Sequence, residues 1–380
     1  MYKTVSKLLL LSTLFVSALA DNNNESFKLQ PISTIRLDYL NINNNRVHAK
    51  DRFFFRDAVV GVKGKIFYDF KYKVEANFAS SVRDRVQQAY IEYEKLDPYI
   101  IKVGRFFPSF FLDYDRSFNE WPVAGSLVEQ LKDGVQVRTY GDKWTISSSY
   151  GNSGSISKTN SENKRDAFYL KGTYVPYFKK ENNEYFHIGL ANSYLKPKSY
   201  LQYKAKPEAR SNFNLLKTSQ INNVNYGNVT NLSLAYNYKS FSTQLEYLVS
   251  KLNRDAAKPN LAYHGGYVQV AYFLTGESKE YDFKKGKLES ITLNNSVFEF
   301  AKKNKKFGIG AWEIAAKYST LNLNSKIKSG KIDIYGLGLN WYLNDNLKLS
   351  NDFLLAKTDR NAAVPNSTSK IALFRLQFDL

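Results

Sequence analysis

The segment Ile371-Ala-Leu-Phe-Arg-Leu-Gln-Phe-Asp-Leu380 decides the fold class, because apolar and polar side chains alternate along it. From Phe374 onward every second side chain is apolar, and Arg375, Gln377 and Asp379 stand between them. Side chains of a β-strand point alternately to two faces, so this strand has one apolar and one polar face. A C-terminus tied into a sheet in this way is typical of the closing strand of an outer-membrane barrel.

The N-terminus has the features of an export signal. Lys3 and Lys7 precede a short apolar run over 8–15, and an Ala-x-Ala cleavage pattern ends at Ala20. We therefore expect a signal peptide over 1–20 and one barrel domain over 21–380, exported to the outer membrane of a Gram-negative bacterium. An N-terminal membrane anchor is the alternative, although the run is shorter than the roughly 18 residues that a spanning helix needs.

Composition excludes several classes of protein. Beyond residue 20 the chain has no long apolar stretch, and its mean hydropathy is −0.44, which excludes a helical membrane protein. Aromatic residues make up 15% of the chain, which suits strands and the aromatic girdles of a barrel. Cysteine is absent, so no disulfide, zinc-thiolate site or cysteine nucleophile is possible. We expect no cofactor.

Alternating segments recur along almost the whole chain. Sixteen of them are predicted as strands of an antiparallel transmembrane β-barrel: 31–42, 53–68, 70–82, 85–95, 99–106, 131–140, 143–151, 165–177, 184–195, 229–239, 241–251, 262–275, 309–321, 331–343, 346–358 and 370–380. Sixteen strands leave an aqueous channel, whereas about eight would be filled by their own side chains. A soluble β-sandwich or solenoid is the alternative, but it does not explain the aromatic residues at outward positions near strand ends.

Four long connections are predicted, at 107–130, 152–164, 196–228 and 276–308. In barrels of this type the short turns are periplasmic and the long loops lie outside. The first connection begins within Phe106-Phe107-Pro108-Ser109-Phe110-Phe111 and also contains Trp121-Pro122, so it is too apolar for a solvated loop. We expect it to fold into the barrel and narrow the channel; packing on the rim or on a neighbouring subunit is the alternative.

Several stretches resemble one family of outer-membrane proteins. They are Tyr90–Tyr93 with Val103–Pro108, Tyr267–Glu277, Gly310–Ser319 and Gly338–Asn344, and together they extend over nearly the whole mature chain. These stretches are similar to the phosphate-selective porin O and P family. The resemblance implies a homotrimeric porin with sixteen strands, with its third loop inside the lumen and with phosphate-selective relatives.

Charge favours an anion channel. The net charge is +19, and rings of Lys or Arg are the usual device of anion and phosphate pores. The candidate pore-lining, anion-binding residues are Arg56, Lys63, Lys71, Lys73, Lys102, Arg116, Lys132, Arg138 and Lys317. Glu75, Glu92, Glu246 and Glu313 share their face, which leaves a weakly selective diffusion pore as an alternative. The run Lys302-Lys303-Asn304-Lys305-Lys306 is expected to bind lipopolysaccharide or to stay solvated.

The chain departs from the family pattern where the second strand begins. Relatives often carry an Arg-Arg-Ala-Arg run, and the matching residues here are Arg56-Asp57-Ala58-Val59. Strand parity also turns Arg56 toward the lipid unless a bulge lets it reach inward. A basic pair that often follows the third loop is reduced to Leu131-Lys132. Phosphate recognition requires several converging cations, so these changes argue against a high-affinity phosphate site.

Other functions have weaker support. A barrel enzyme would need an activated nucleophile beside a base, yet none of the three histidines, His48, His187 and His264, lies near a recognisable serine motif. A surface adhesin or receptor would use the connections at 196–228 and 276–308. The basic composition alone also suits nucleic acid, but an export signal and apolar outward stripes make such a partner unexpected.

Overall fold

The chain forms a closed antiparallel barrel of sixteen strands. The computed structural model describes residues 27–82, 85–112, 117–128, 133–152, 165–197, 200–255, 257–299 and 306–380. Each strand pairs with the next along the chain, and the last returns to the first in a register that runs from Thr34–Asp379 to Asn44–Ser369. The predicted fold class is therefore confirmed. The expected signal peptide and Lys302–Lys305 lie outside the described residues, as does most of the second long connection.

The barrel strands are numbered here in chain order. They are β1 Phe27–Asn44, β2 Arg52–Ile66, β3 Phe70–Asn77, β4 Val86–Tyr93, β5 Tyr99–Arg105, β6 Asp133–Tyr140, β7 Trp144–Asn152, β8 Asp166–Lys179, β9 Glu184–Lys196, β10 Val224–Tyr238, β11 Phe241–Arg254, β12 Leu261–Phe273, β13 Ala311–Asn322, β14 Lys331–Tyr342, β15 Leu347–Thr358 and β16 Thr368–Asp379. Most predicted boundaries lie within a few residues of these.

Because the strands are antiparallel, their connections alternate between two ends of the barrel. The turn end carries the short connections, such as 67–69, 141–143 and 239–240, together with both ends of the described chain. The loop end carries the connections after odd-numbered strands, including the third loop at 106–132 and the fifth loop at 197–223.

The longest connection, 274–310, lies at the turn end, so the expectation that 276–308 is an outer loop was wrong. It joins β12 to β13, and a connection that follows an even-numbered strand lies at the turn end of the barrel. Its contacts agree, because Asn183 of a short turn donates from Nδ2 to the Lys279 carbonyl at 2.8 Å. The segment then enters the lumen, where Leu288 is buried and the Lys171 ammonium contacts the Gly286 carbonyl at 3.3 Å.

The outer wall of the barrel is apolar. Its exposed side chains include Leu190, Leu232, Val268, Leu337 and Leu376, each on the face opposite the lumen. Exposed aromatic side chains lie near the strand ends, and Trp312 stacks on Trp341 with ring centroids 4.9 Å apart. This arrangement suits a wall that contacts lipid. None of the helical segments in the described part of the chain is long and apolar enough to span a bilayer.

Candidate functional site in the channel

The third loop folds into the lumen, as its aromatic sequence predicts. Phe110, Leu112, Phe118 and Leu127 are buried there, each with 4% or less of its surface exposed. Phe110 packs edge-on against Tyr169 of β8, with ring centroids 6.0 Å apart. Burial of these side chains in the lumen removes from water an apolar surface that a free loop would expose. Among the described residues of this loop, Phe107 is the exposed aromatic side chain.

Four buried carboxylates fix the third loop in place. They accept hydrogen bonds of 2.6–2.9 Å from the loop: Leu112 N to Glu246, Ser117 Oγ to Glu313, Asn119 N to Asp352 and Val123 N to Glu208. Three of the acids are on the wall and Glu208 belongs to the fifth loop. Hydrogen bonds to charged acceptors are about twice as strong as neutral ones, so the loop position is well defined.

The fifth loop also folds inward, which sequence reasoning did not predict. Leu201, Leu215, Leu216 and Ile221 are buried, and they pack on inward side chains of β10–β16 such as Leu321. Two short antiparallel ladders, 200–201 with 221–222 and 204–205 with 216–217, shape this loop. The apolar packing excludes water from this side of the lumen near the loop end. On the opposite part of the wall, Lys63 and Lys65 of β2 are exposed.

A backbone irregularity turns Arg56 into the lumen. The register steps from Arg36–Asp57 to Leu37–Phe55, so Arg56 is an extra residue in β2 and both it and Asp57 point inward. Its guanidinium binds the third-loop carboxylate of Glu120, from Nε to Oε1 at 2.6 Å and from Nη2 to Oε2 at 3.1 Å. Arg56 Nη1 also contacts Asp57 at 3.2 Å.

Two more arginines contact these acids where the first and last strands, β1 and β16, pair. Arg375 of β16 binds Asp38 through two hydrogen bonds of 2.7 and 2.8 Å and reaches Glu120 at 3.2 Å. Arg36 of β1 binds Asp57 at 3.0 Å. Arg375 is the polar-face arginine of the closing strand, so alternation predicted its direction but not its partners.

Three further bases complete the group on its loop-end side: Arg52, Lys206 and Arg210. Arg52 donates to the Arg210 carbonyl, and Lys206 donates to the Ser211 carbonyl at 2.6 Å. Within the described residues none of the three forms an ion pair with an acid. Burial and the neighbouring Arg56 lower the pKa of Arg210, and burial followed by Arg52 and Arg210 lowers the pKa of Lys206.

We call these residues the cationic cluster. Its bases are Arg36, Arg52, Arg56, Lys206, Arg210 and Arg375, and its acids are Asp38, Asp57 and Glu120. Sequence reasoning selected only Arg56 among the six bases. Lys206 and Arg210 belong to a loop without periodicity, so no pattern indicated where their side chains lie.

A second group of bases lies on β2 and β3 toward the turn end. Lys63 pairs in register with Lys73, and Lys65 pairs with Lys71, so like charges face one another across two strands. Lys73 binds Glu75 at 2.6 Å and Lys71 binds Glu94 at 2.7 Å. Lys63 and Lys65 are exposed, and neither has an ion-pair partner in the part of the chain that the structure describes.

The other predicted bases are more enclosed. Lys102 binds Glu92 at 2.8 Å, and Arg138 approaches the same carboxylate at 3.9 Å. Lys317 lies 2.5 Å from Glu208 and beneath the Phe118 ring, with only 1% of its side chain exposed, so the two inward loops cover it. Arg116 and Lys132 lie outside the described residues.

The histidines do not form an accessible catalytic arrangement. His187 is fully buried, with Nδ1 2.7 Å from the Tyr281 hydroxyl and Nε2 3.3 Å from Ser233 Oγ. His264 lies on β12 and His48 in the connection after β1. No group of acids or histidines among the described residues has the arrangement of a metal site.

A sixteen-stranded barrel with an apolar wall, inward loops and a charged lumen has the architecture of a porin channel. Comparisons agree. The fold is similar to a trimer form of OmpT, an outer membrane protein of Vibrio cholerae, with a TM-score of 0.59 at 10% identity over 93% of this chain and 100% of that one. It is also similar to an anion-selective porin from Comamonas acidovorans, with a TM-score of 0.57 at 8% identity over 93% and 100%.

The sequence comparisons define the family. The family described as phosphate-selective porin O and P matches residues 32–380. Porin O of Pseudomonas aeruginosa is 27% identical over 359 residues, which cover 82% of this chain and 78% of that protein. The chain therefore belongs to the phosphate-selective porin O and P family, and the resemblance found in its sequence is confirmed. The family and the fold indicate an outer-membrane channel; they give no support to the adhesin hypothesis.

Proposed function

We propose that the chain forms a diffusion channel that prefers anions, with phosphate and other small anions as solutes. The observation that carries this proposal is a set of three bases, Arg52, Lys206 and Arg210, that form no ion pair with any acid among the described residues. They lie beside the constriction that the third loop forms. Cations that are not neutralised create a positive potential that concentrates anions in the lumen.

The arrangement suggests a sequence of contacts for an entering anion. It meets Arg52, Lys206 and Arg210 first, passes the third loop beside Arg56, and then meets the lysines of β2 and β3. Like charges directly opposite one another on neighbouring strands are destabilising, and a role in anion attraction would explain why the lysines of β2 and β3 are paired in this way. These bases would partly replace the hydration shell of the anion, and no bond is made or broken.

We expect the channel to conduct anions in preference to cations without binding any anion tightly. Arg56 is shared between Asp57 and Glu120, while Lys71, Lys73 and Lys102 each have a carboxylate partner. Exposed ion pairs contribute only about 0–1 kcal/mol each, and a paired base attracts a passing anion less than a free one. The alternative that differs least from this proposal is a general diffusion channel with modest selectivity.

Charge reversal of the unpaired bases tests the proposal. In Lys206→Glu/Arg210→Glu the ratio of anion to cation permeability should fall several-fold, because two attractive charges become repulsive. The ratio is measured from the zero-current potential in a planar bilayer under a KCl gradient. Lys258→Glu is the matched control, since this exposed lysine lies at the loop end outside the cluster. An unchanged ratio in the double variant would contradict the proposal.

We further propose that the channel is a homotrimer. A spanning strand needs about 9–11 residues, whereas β3, β4 and β5 have 8, 8 and 7. Outside these strands lies an apolar concavity of about 580 Å³, whose lining includes Val74, Ile91 and Val103. A neighbouring copy would cover this short wall. Light scattering in detergent should give the mass of three chains, and a single-chain mass would contradict the proposal.

A further inference from the structure

The carboxylate of Glu120 is bound as a small oxyanion would be bound. Arg56 donates to both of its oxygens, at 2.6 and 3.1 Å, and Arg375 Nη2 donates to Oε1 at 3.2 Å. A planar guanidinium matches carboxylate and phosphate oxygens in this two-point geometry, which a lysine cannot reproduce. Two guanidinium groups of the cationic cluster therefore converge on one acid.

The protein itself supplies this acid from the inward tip of the third loop. The neighbouring Asn119 is fixed by two hydrogen bonds: its N–H donates to Asp352 at 2.8 Å, and its carbonyl accepts from Arg375 Nη1 at 2.7 Å. Arg375 thus holds both the backbone of the tip and the carboxylate beside it. The carboxylate is delivered to the guanidinium groups without the entropic cost that a free anion pays.

Positive charges outnumber negative ones around Glu120, so an anion is favoured at this position. Arg56 and Arg36 share Asp57, and Arg375 is bound to Asp38, which leaves Arg52, Lys206 and Arg210 without an acid partner within the described residues. Without the charge of Glu120, the six bases of the cluster would keep two of its three acids, Asp38 and Asp57. The side chains of Arg56 and Glu120 are 19% and 14% exposed, so water reaches the pair.

We propose that Glu120 is a tethered counter-ion that occupies a latent oxyanion site formed by Arg56 and Arg375. Phosphate or a small carboxylate that enters the channel competes with Glu120 for these two guanidinium groups, and the wild-type channel therefore releases such anions readily. This inference rests on the proposed function only in placing the cationic cluster on the conduction path.

Removal of the charge at residue 120 tests the inference. In Glu120→Gln, added phosphate should block the single-channel chloride current more readily than in the wild type. The half-blocking phosphate concentration should be about tenfold lower. Glu181→Gln is the matched control: this exposed acid lies in the turn between β8 and β9, outside the cluster, so the phosphate sensitivity of that variant should stay at the wild-type level.

A second variant keeps the inference falsifiable if Glu120→Gln assembles poorly. Glu120→Asp keeps the charge but is one methylene shorter, so it reaches the two guanidinium groups less well and should give an intermediate gain in phosphate block. Arg56→Gln added to Glu120→Gln should remove the gain. Conducting channels of Glu120→Gln or Glu120→Asp with wild-type phosphate sensitivity would overturn the inference.

The outcome separates this inference from the proposed function. A cation-selective wild type whose Glu120→Gln variant gains phosphate block would contradict the proposed function and support the latent site. An anion-selective wild type whose Glu120 variants do not change would support the proposed function and contradict the latent site.

Discussion

Arg56 shows how one extra residue in a strand decides whether a charge reaches the channel. Strict alternation directs its side chain to the lipid, and the bulge opposite the Arg36–Leu37 step turns it toward Glu120. A bulge changes the face of a residue without changing the apolar pattern around it. The sequence therefore indicated that Arg56 needed a bulge to face inward but could not establish that the bulge exists.

The partners of the bases were less predictable than their directions. Alternation put Lys71, Lys73 and Lys102 on the polar face, and the structure places all three inward. Each binds a nearby acid: Glu75 on the strand of Lys73, Glu92 on the strand next to Lys102, and Glu94 just after β4 beside Lys71. Arg210 is different, since its place in the lumen depends on the packing of a loop with no periodic pattern.

Lys206 should make the anion preference sensitive to alkaline pH. Its pKa is lowered, first by burial and then by Arg52 and Arg210, so it loses its positive charge at a lower pH than an ordinary lysine. As the pH rises from neutrality, the ratio of anion to cation permeability should therefore begin to fall before the range near pH 10 where lysines usually titrate.

The substitution Lys206→Arg isolates this effect. Arginine stays charged throughout that range, so the fall in anion preference should shift to higher pH in this variant. Lys258→Arg, at an exposed position outside the cluster, should keep the wild-type profile. Identical profiles for wild type and Lys206→Arg would show that Lys206 does not contribute to selectivity.

At the scale of elements, the connection 274–310 is the clearest difference between expectation and structure. Its length suggested an outer loop, yet it follows the twelfth strand, and every connection after an even-numbered strand lies at the turn end. Counting strands would have placed it correctly from sequence. Its entry into the lumen could not be predicted, because it depends on contacts such as that of Lys279 with Ser117 at 2.7 Å.

The short strands β3–β5 predict where the subunits of a trimer meet. Val103→Arg places a charge on the apolar concavity outside these strands, and it should reduce the mass in detergent from three chains to one. Leu337→Arg is the matched control on the outer face of β14, away from β3–β5; there the same substitution costs about 2–4 kcal/mol in lipid but should leave the mass of three chains unchanged. A trimer that survives Val103→Arg would place the interface elsewhere.

At the scale of the whole molecule, the barrel was predictable and the shape of its channel was not. Alternation is a local signal that recurs in sixteen segments, and closure follows once the outward face is apolar and no strand edge can remain unpaired in lipid. The aromatic sequence of the third loop also indicated its inward fold. The fifth loop gave no such signal, and its apolar residues are buried only because β10–β16 present an apolar inner surface near the loop end.

The zero-current potential of the wild-type protein in a planar bilayer under a KCl gradient tests the central claim most directly. Arg52, Lys206 and Arg210, which form no ion pair among the described residues, predict a potential of the sign that chloride permeation gives. Its magnitude should fall as ionic strength rises and screens the lumen charges. A potential of the opposite sign at low salt would mean that the acids of the lumen determine selectivity, and it would contradict the account of an anion-preferring channel.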